Sequence, residues 1–578
     1  MKKFNQILLL ISAAVSYGCG YLEPLDTERI YSEENLGDYP SFVRGFLETA
    51  FNKLPNDYES IEYAWLDAMC GDLLISSESH LCRRFSTASV SPNEGIFDSY
   101  WKRDYSAMLY LNKFLKDDLG YRTRYLTDAE KNATLAAHLK GDAFALRAWY
   151  GYDLLLKFSG RSASDGKLLG YPIMTDIVDY ASVSPDSFRR NSFDECVAQI
   201  LSDCDSALVY LPEANRDYLT EDHQYEGAVR WRRPDATVVN SIKALTCLMW
   251  ASPSFNSDGD RERWRMAAEA AAKVIDFKLT NDLPHGFNPK AEVNWFSQQS
   301  PEAIWCNAAR VTRTEVNMYP GGFSGTGFAG PTQNIVDAFP MENGYPISRE
   351  ESGYDPENPY IGRDRRFYRY INYDGASVIR PSNGEVMYTF ECFEGGKDEP
   401  GRIRNTKTGY YVRKFIHQGW NAYDDKVETQ AKALMLIRFR EICLVFAEAA
   451  NHAAGSPLTK IAGYSAKEML SLVRGLDADP YLDECSSSEE SFDALVRNER
   501  RIELFMEGKR FHDIRRWGDE ELDIDVFRAS IVRDGEGEKS YSRERVETLS
   551  YPSLWLPLPR NEVRKASLEQ NEGWEDWK

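Results

Sequence analysis

The chain has 578 residues, enough to bury a large hydrophobic core, and its 43% hydrophobic and 28% charged residues are ordinary for a globular protein. The 69 Lys and Arg residues face 90 Asp and Glu residues, which gives a net charge of −21. Such an acidic surface repels phosphate backbones, which argues against nucleic acid as a partner. Aromatic residues reach 13%, and the Tyr and Trp among them suit wet recognition surfaces as well as cores.

The first 18 residues have the form of a secretion signal peptide. A short basic start precedes an apolar stretch at residues 7–15, which is too short for a permanent membrane-spanning helix. Gly18 comes directly before Cys19, as in lipoproteins whose cysteine thiol receives a lipid and becomes the new N-terminus. We therefore predict that Cys19 is lipidated, with a plain secreted cysteine as the alternative. Residues 19–40 are expected to form the lipidated N-terminus and a tether.

The remaining cysteines give no metal-binding pattern. Nine are left if Cys19 carries lipid, so at least one is expected to be free or to pair outside the chain. The absence of C-x-x-C spacing argues against a structural zinc site. Cys196 and Cys204 fall on one predicted helix, and we interpret them as buried small hydrophobic residues.

Apolar residues recur at three- and four-residue steps along the first half of the chain. This periodicity predicts helices, and successive helix pairs of this kind often stack as a helical array. The predicted helices cover residues 100–115, 133–158, 191–211, 237–250 and 263–275.

From about residue 280 to 430 the composition changes to Gly, Pro, Asn, Asp and aromatic residues. This predicts long loops with a few short strands, such as 410–415. Loops of this length in a compact protein are usually functional. Helices are predicted again over 433–452, 466–473 and 492–506, and the C-terminal stretch is predicted to be loop.

One glycine-rich string imitates a nucleotide-binding motif. Gly325 to Gly330 matches G-x-G-x-x-G, but residues 313–320 before it do not form the buried strand that such a site requires. Asp258 and Asp260 fall in a predicted turn and could bind calcium weakly, which stays open, although the ligand spacing of an EF-hand is absent. The sequence therefore predicts no cofactor and no metal site.

Several strings spread along nearly the whole chain form a recognisable set. The most distinctive is Val496–Leu504 (VRNERRIEL), which runs into Glu507–Arg510 (EGKR). The others, in chain order, are Leu139–Ala143 with Leu146–Tyr150, Asn334–Phe339, Arg363–Phe367, and Leu556–Pro559 followed by Gln570–Asn571. Together these strings resemble the SusD/RagB family of outer-membrane nutrient-binding lipoproteins.

The resemblance implies a mostly α fold, with four tetratricopeptide-like helix pairs and a loop-rich region that holds a few short strands. Residues 41–280 are expected to form the N-terminal helical region and residues 281–578 the C-terminal region with long loops. The resemblance also implies a surface-exposed protein, lipid-anchored in the cell outer membrane, that delivers oligosaccharides to a SusC-like TonB-dependent transporter. No motif of the family is catalytic, so the chain is not expected to be an enzyme.

The charged string also has an interpretation of its own. Its glutamates fall at four-residue steps and arginines lie beside them, so ion pairs within the helix and to its neighbours are predicted. We interpret this segment as a structural clamp rather than an active site, with Gly508 at the C-terminus of the helix. The charged residues are Glu499, Glu503, Glu507, Arg497, Arg500 and Arg501.

Candidate ligand-binding residues follow from the chemistry of sugars. A sugar ring stacks its C–H face on an aromatic plane, while its hydroxyls bond to polar side chains. The family places its ligand among variable loops, including the segment before the helix that starts near Tyr100. The candidates are Glu78, His80, Arg83 and Phe85 in that segment, then Trp295, Tyr319, Phe323 and Phe328 in the central loops, with the loop of Trp420 and Tyr423 next.

Two other functions stay open. A surface glycoside hydrolase needs two carboxylates that flank the scissile bond, and 90 acidic residues leave many possible pairs. The RagB branch of the family is linked to peptides rather than glycans. A structural adhesin is disfavoured, because it would be expected to show repeated sandwich-like strands instead of helices.

Overall fold

A computed structural model gives the architecture of the chain. The predicted signal peptide, Cys19, most of the tether, and Trp420 and Tyr423 lie outside the described residues. The structure describes residues 35–55, 66–178, 184, 188–215, 225–226, 230–280, 287–288, 290–307, 310–311, 317–417, 431–518 and 522–577.

Helices dominate the described residues, and most of the long ones lie where the periodicity predicts them. They are α1 (Pro40–Phe51), α2 (Leu81–Ser86), α3 (Asp98–Leu115), α4 (Leu119–Arg122), α5 (Ala129–Phe158), α6 (Phe193–Tyr210), α7 (Ala236–Ala251), α8 (Arg261–Thr280), α9 (Gln333–Ala338), α10 (Arg365–Tyr370), α11 (Phe439–Ala454), α12 (Ala466–Arg474), α13 (Pro480–Cys485), α14 (Glu489–Glu503), α15 (Lys509–Trp517) and α16 (Arg560–Ala566).

The long helices stack side by side in chain order. α1 packs on α3, α3 on α5, α5 on α6, α6 on α7 and α7 on α8; α11 then packs on α8, with α12 and α14 beside it. Side-chain caps fix where helices begin: Asp128 accepts from two backbone amides at the start of α5, and Ser192 and Glu195 form a capping box at the start of α6. The result is a mostly α fold built on a helical array.

The strands are short and pair only two at a time among the described residues. The antiparallel pairs are β1 (Leu73–Ile75) with β6 (Ala329–Pro331), β2 (Gly160–Arg161) with β3 (Leu168–Leu169), β4 (Ala303–Cys306) with β12 (Met435–Arg438), β5 (Arg310–Val311) with β11 (Ala431–Lys432), β7 (Ile371–Asn372) with β10 (Tyr411–Val412), β8 (Ser377–Ile379) with β9 (Val386–Thr389), β13 (Lys460–Ile461) with β14 (Tyr464–Ser465), and β15 (Asp523–Arg533) with β16 (Lys539–Ser550).

The sequence analysis predicts loop for the C-terminal stretch, and this prediction is wrong, because the stretch contains the β15–β16 hairpin. The buried residues of β15 are Val526, Ala529 and Ile531, and the register shifts between Val526 and Phe527. A bulge of this kind moves the inward-facing side chains by one position, which breaks the alternation that marks a strand.

A second correction concerns the helix predicted over 433–452. It begins only at Phe439, because Met435–Arg438 form β12 and pair with β4. A continuous apolar run carries no periodicity that separates a buried strand from a buried helix. The helix also continues to Ala454, where Gly455 ends it in the left-handed conformation.

Residues 569–577 close the core of the helical array. The Asn571 amide nitrogen donates to the carbonyl oxygen of Phe158, the last residue of α5, at 3.2 Å, and Arg190 Nη1 donates to Asn571 Oδ1 at 2.9 Å. Trp574 stacks on Phe85, with 5.5 Å between ring centroids. The largest hydrophobic cluster therefore extends from helix α1 to Trp574 and Trp577. A second cluster lies beneath the central loops.

The predicted structural clamp is present and buried. Arg366 Nη1 lies 2.8 Å from Glu499 Oε2 and 3.3 Å from Glu503 Oε2, and Arg438 bonds both Glu503 and Glu507 at 2.7–2.8 Å. Burial alone would raise the pKa of Glu503, but the guanidinium groups around it lower that pKa to about 2. These charges hold the C-terminal helices to the central loops and do not face solvent.

The helix of the clamp ends earlier than predicted. α14 stops at Glu503, so Glu507 lies in the turn that follows. Gly508 does not end α14 but sits at the start of α15, with a φ of 72°. A side chain at that φ would be strained, which explains glycine at this position.

All nine described cysteines are free, and none forms a disulfide with another. Cys196 and Cys204 are fully buried in the helical array, as predicted. Burial raises the pKa of Cys196 to about 12, so its thiol stays protonated.

Candidate functional site

Three segments far apart in sequence meet at one surface, which we call the loop face: residues 76–80, 321–328 and 397–407, together with Tyr388. The backbone N–H of Ser76 donates to the carbonyl oxygen of Phe328 at 2.9 Å. Arg404 Nη2 donates to the carbonyl oxygen of Gly325 at 2.7 Å, and the N–H of Gly321 donates back to the Arg404 carbonyl at 2.8 Å. Backbone bonds therefore fix the spacing of the three segments.

The glycine-rich string makes this convergence possible. Gly327 has a φ of 58°, and a Cβ on it would lie 2.3 Å from the carbonyl carbon of Asn405. Only glycine allows so close a backbone approach. The match to G-x-G-x-x-G therefore reflects loop packing rather than a nucleotide site.

Partly exposed rings line the loop face. The rings of His80 and Phe328 meet edge to face, with centroids 6.0 Å apart. The Tyr388 ring packs 4.9 Å from Phe323 beneath it and has Lys397 Nζ 4.3 Å from its centroid. This combination of aromatic surface and nearby cations suits a polar ligand that also presents an apolar face.

The charge states of the face follow from local contacts. The ammonium of Lys407 donates to Glu78 Oε1 at 2.6 Å, and this hydrogen bond lowers the pKa of Glu78, which is therefore ionised at neutral pH. Burial lowers the pKa of His80, so its ring is neutral there. Its Nδ1 accepts from the Cys82 amide at 3.2 Å, which puts the ring proton on Nε2.

The carboxyl group of Asp398 holds the Tyr388 hydroxyl by a hydrogen bond. The Tyr388 hydroxyl donates to Asp398 Oδ1, and the Glu391 amide donates to Asp398 Oδ2 at 3.0 Å. Burial, and to a lesser extent the hydrogen bond to Asp398, raises the pKa of Tyr388, so the hydroxyl keeps its proton. Asp398 is buried, and both of its oxygens have donors.

The structure separates the predicted ligand-binding residues into two groups. Glu78, His80 and Phe328 reach the loop face, where they lie together. Tyr319 and Phe323 lie directly beneath that face, buried and in ring contact at 5.0 Å.

The other candidates brace the fold. Arg83 is buried, with Nε 2.9 Å from Glu547 Oε2, and joins α2 to the β15–β16 hairpin. Phe85 belongs to the core of the helical array. Trp295 is buried against Lys414, whose ammonium lies 5.0 Å from the ring centroid.

Sequence reasoning missed Tyr388, Lys397, Arg404 and Lys407. Each falls in a Gly- and Pro-rich stretch, and aromatic or basic residues in such a stretch are the only local signal that could have marked them. Tyr388, Arg404 and Lys407 each contact a residue 65 to 329 positions away along the chain, so these contacts are a product of the tertiary fold.

The described residues contain neither a membrane-crossing helix nor a metal-binding cluster. No helix there is long and apolar enough to cross a bilayer. Likewise, no group of three or more His, Cys, Asp or Glu residues in the described ranges could hold a metal ion.

Comparison with known proteins agrees with this architecture. Residues 294–574 match a family model described as "SusD family", and residues 47–225 match one described as "Starch-binding associating with outer membrane". A search of curated proteins gives no significant match.

Solved structures show the same fold. A SusD-like protein from Bacteroides fragilis superposes with a TM-score of 0.70 at 20% identity, covering 94% of this chain and 99% of its own. A SusD-like carbohydrate binding protein from the same organism gives 0.67 at 16% identity, covering 92% and 99%. A SusD homolog from Bacteroides thetaiotaomicron gives 0.60 at 17% identity, covering 95% and 100%.

The described residues form a helical array with a face on which long loops converge, and this defines a class of mostly α-helical proteins with a loop-rich region. The two family models together match most of the chain, and the fold agrees over more than nine-tenths of it. The chain belongs to the SusD/RagB family.

Proposed function

We propose that this protein binds oligosaccharides at the loop face and delivers them to a SusC-like TonB-dependent transporter of the outer membrane. One observation carries the proposal: the partly exposed rings of His80, Phe328 and Tyr388 lie together with charged side chains beside them. The chain also belongs to a family described as SusD. The carbohydrate-binding relative with the same fold supports a glycan as the ligand.

The chemistry of the face fits a sugar. The rings offer flat apolar surface for the C–H face of a pyranose, and Lys397, Lys407 and Glu78 supply donors and acceptors for its hydroxyls. Backbone bonds already hold the loops in place, so little ordering is required on binding. This arrangement is suited to capture and release rather than to chemical change.

Attachment to the membrane is proposed through lipid on Cys19. The family model over residues 47–225 is described by association with the outer membrane, which supports this location. A lipid-anchored protein with a loop face turned to the medium would present captured oligosaccharide to a transporter in the same membrane.

Turnover by the loop face is not expected. A glycosidase needs one protonated and one ionised carboxyl group on either side of the bond. Glu78 is ionised and paired with Lys407, while Asp398 is buried with both oxygens occupied. Neither is placed as a free general acid.

Binding without turnover is tested on protein consisting of residues 20–578. Affinity electrophoresis and calorimetry against a panel of oligosaccharides should give a micromolar to millimolar Kd, about −8 to −4 kcal/mol. No new reducing ends should form on prolonged incubation, and their appearance would favour the hydrolase alternative. Binding of a peptide panel with no oligosaccharide bound would instead support a RagB-type nutrient protein.

A further inference from the structure

A cavity of about 500 Å³ lies between helix α3, the extended segment 172–178 and helix α16. Its walls are mainly apolar, and its volume is in the range of small-molecule binding sites. The residues that form the walls include Trp101, Met108, Leu109, Met174 and Leu568. None of the lining residues belongs to the loop face, so the cavity is a separate feature of the molecule.

The cavity is pre-formed, because hydrogen bonds between helix α3 and the segment 172–178 fix these two walls relative to each other. The Tyr105 hydroxyl donates to the carbonyl oxygen of Pro172 at 2.8 Å. The Asn112 amide nitrogen donates to the carbonyl oxygens of Met174 and Asp176 at 2.9 and 3.3 Å. Arg147 donates to Asn112 Oδ1 at 3.1 Å, which fixes that amide in turn.

These hydrogen bonds determine which class of ligand can bind inside the cavity. The Tyr105 hydroxyl and the Asn112 amide nitrogen already donate to backbone carbonyls, so they are not available to donate to a ligand. A sugar inside would leave several hydroxyls without hydrogen bonds, each at a cost of about 1–3 kcal/mol. A hydrocarbon chain makes no such demand, and the flexible side chains of Met108 and Met174 adapt to its shape.

The mouth of the cavity is polar and carries an available cation. Lys565 on α16 pairs with Glu562 at 3.2 Å, and the Asp176 carboxylate accepts from the Ile177 amide at 2.7 Å. Lys102 on α3 is exposed at the same mouth and forms no ion pair within the described part of the chain. An anionic group of a ligand would find its counter-charge there.

We propose that this cavity binds the aliphatic chain of an amphipathic anion, with its carboxylate or phosphate beside Lys102. A free fatty acid and the acyl chain of a phospholipid share this chemistry. The site goes beyond the proposed function, because it takes a ligand of another class at another surface.

Dodecanoate is the probe, used with protein of residues 20–578 in calorimetry. The parent should bind it, and Leu109→Glu, which places a carboxylate in the wall where it repels the anion, should weaken binding at least about tenfold. Ala566→Trp, which fills the cavity from a half-buried position, should do the same and serves as a second variant if Leu109→Glu melts early. Val209→Glu changes a 75% exposed apolar residue of α6 outside the cavity and should bind like the parent.

Two further measurements fix the class of ligand. Lys102→Glu should weaken dodecanoate several-fold and leave the neutral-headed octyl glucoside unchanged. Capture of the parent, but not of Leu109→Glu or Ala566→Trp, on phosphatidylglycerol vesicles would identify a phospholipid chain as the source, and dodecanoate binding without capture would identify a free fatty acid. Absence of dodecanoate binding, or equal binding by all variants, would overturn the proposal. Phe328→Ala should leave dodecanoate binding intact, so failure here is separable from failure at the loop face.

Discussion

Glu78 and Lys407 lie 329 positions apart in the sequence, yet their side chains bond at 2.6 Å across the loop face. The pair joins the segment before α2 to the loop after Asp398. Both side chains keep contact with solvent, so the pair contributes little to stability. The pair lies beside His80 and Phe328, at the edge of the surface where we propose that a sugar binds.

Lys407→Met should therefore reduce oligosaccharide affinity while leaving the melting temperature unchanged. The reason is that a sugar hydroxyl loses a charged donor, whereas the folded protein loses only a solvated ion pair. Lys290→Met, which breaks the exposed pair with Asp477 away from the loop face, is the matched control and should bind normally. Equal affinity of both variants would remove Lys407 from the site.

Phe328 and Phe85 should respond in opposite ways to alanine. Phe328 is partly exposed at the loop face, so Phe328→Ala should weaken binding about tenfold through the loss of about 1–3 kcal/mol of stacking and apolar contact. Phe85 is buried against Trp574, so Phe85→Ala should cost about 3–5 kcal/mol of stability. Calorimetry and urea unfolding separate the two effects, and a stable Phe85→Ala variant that fails to bind would place Phe85 in the site instead.

Glu503 should govern part of the acid sensitivity of the protein. Its pKa is about 2 in the folded state against an ordinary value of 4.5, so its contribution to stability is complete above pH 4.5 and is lost as the pH falls toward 2. Glu503→Gln leaves buried arginines unpaired and should cost about 3–5 kcal/mol at pH 7. Between pH 5 and 3 the variant should lose less stability than the parent, by up to about 1.4 kcal/mol per pH unit.

Urea unfolding at pH 7, 5 and 3 measures both effects of this change. Glu484→Gln, which removes one partner of Arg349 on the surface, is the control and should follow the parent at every pH. Parallel pH curves for the parent and Glu503→Gln would contradict the assignment.

Cys19→Ala should release the protein from the outer membrane or block its maturation. Several acyl chains on Cys19 would anchor it stably, since each buried methylene contributes about 0.8 kcal/mol. Membrane fractionation in cells that lack the transporter gives the clearest result, because no protein partner can then retain the variant. Cys19→Ala found in the outer membrane of such cells would rule out the lipid anchor.

The thiols other than Cys19 should be unreactive in the native protein. Burial raises the pKa of Cys82 to about 12, although it is only partly buried, and the other described cysteines are buried. A colourimetric thiol reagent should modify at most one cysteine of protein 20–578 in buffer and nine in concentrated urea. Fewer than nine under denaturing, non-reducing conditions would reveal a disulfide.

The sequence was most informative where one physical signal dominated. Apolar periodicity located α3, α5, α6, α7 and α8, because each runs for 16 to 30 residues, long enough for the helical period to repeat several times. It failed at β12, where both faces are buried, and at β15, where a bulge shifts the phase. In both cases the pairing strand, and not the local composition, decides the structure.

The candidate site was less predictable for a related reason. Aromatic residues in loops were recognised, but exposure depends on which distant segment covers each ring. Trp295 is covered by Lys414 and Phe415, whereas Tyr388 remains partly exposed above Phe323. The residues in contact are 60 to 120 positions apart in the sequence, so the sequence around each ring does not show whether the ring is covered.

The closure of the helical array by residues 569–577 constrains how the protein is made. In the export that we propose, the N-terminal helices leave the secretion machinery first, with the Phe85 ring not yet covered by Trp574 and the Phe158 carbonyl not yet bonded to Asn571. Trp574 and Asn571 are translocated later than the helices that they cover. A polypeptide that stalls before residue 569 would therefore present an open apolar surface to chaperones and proteases.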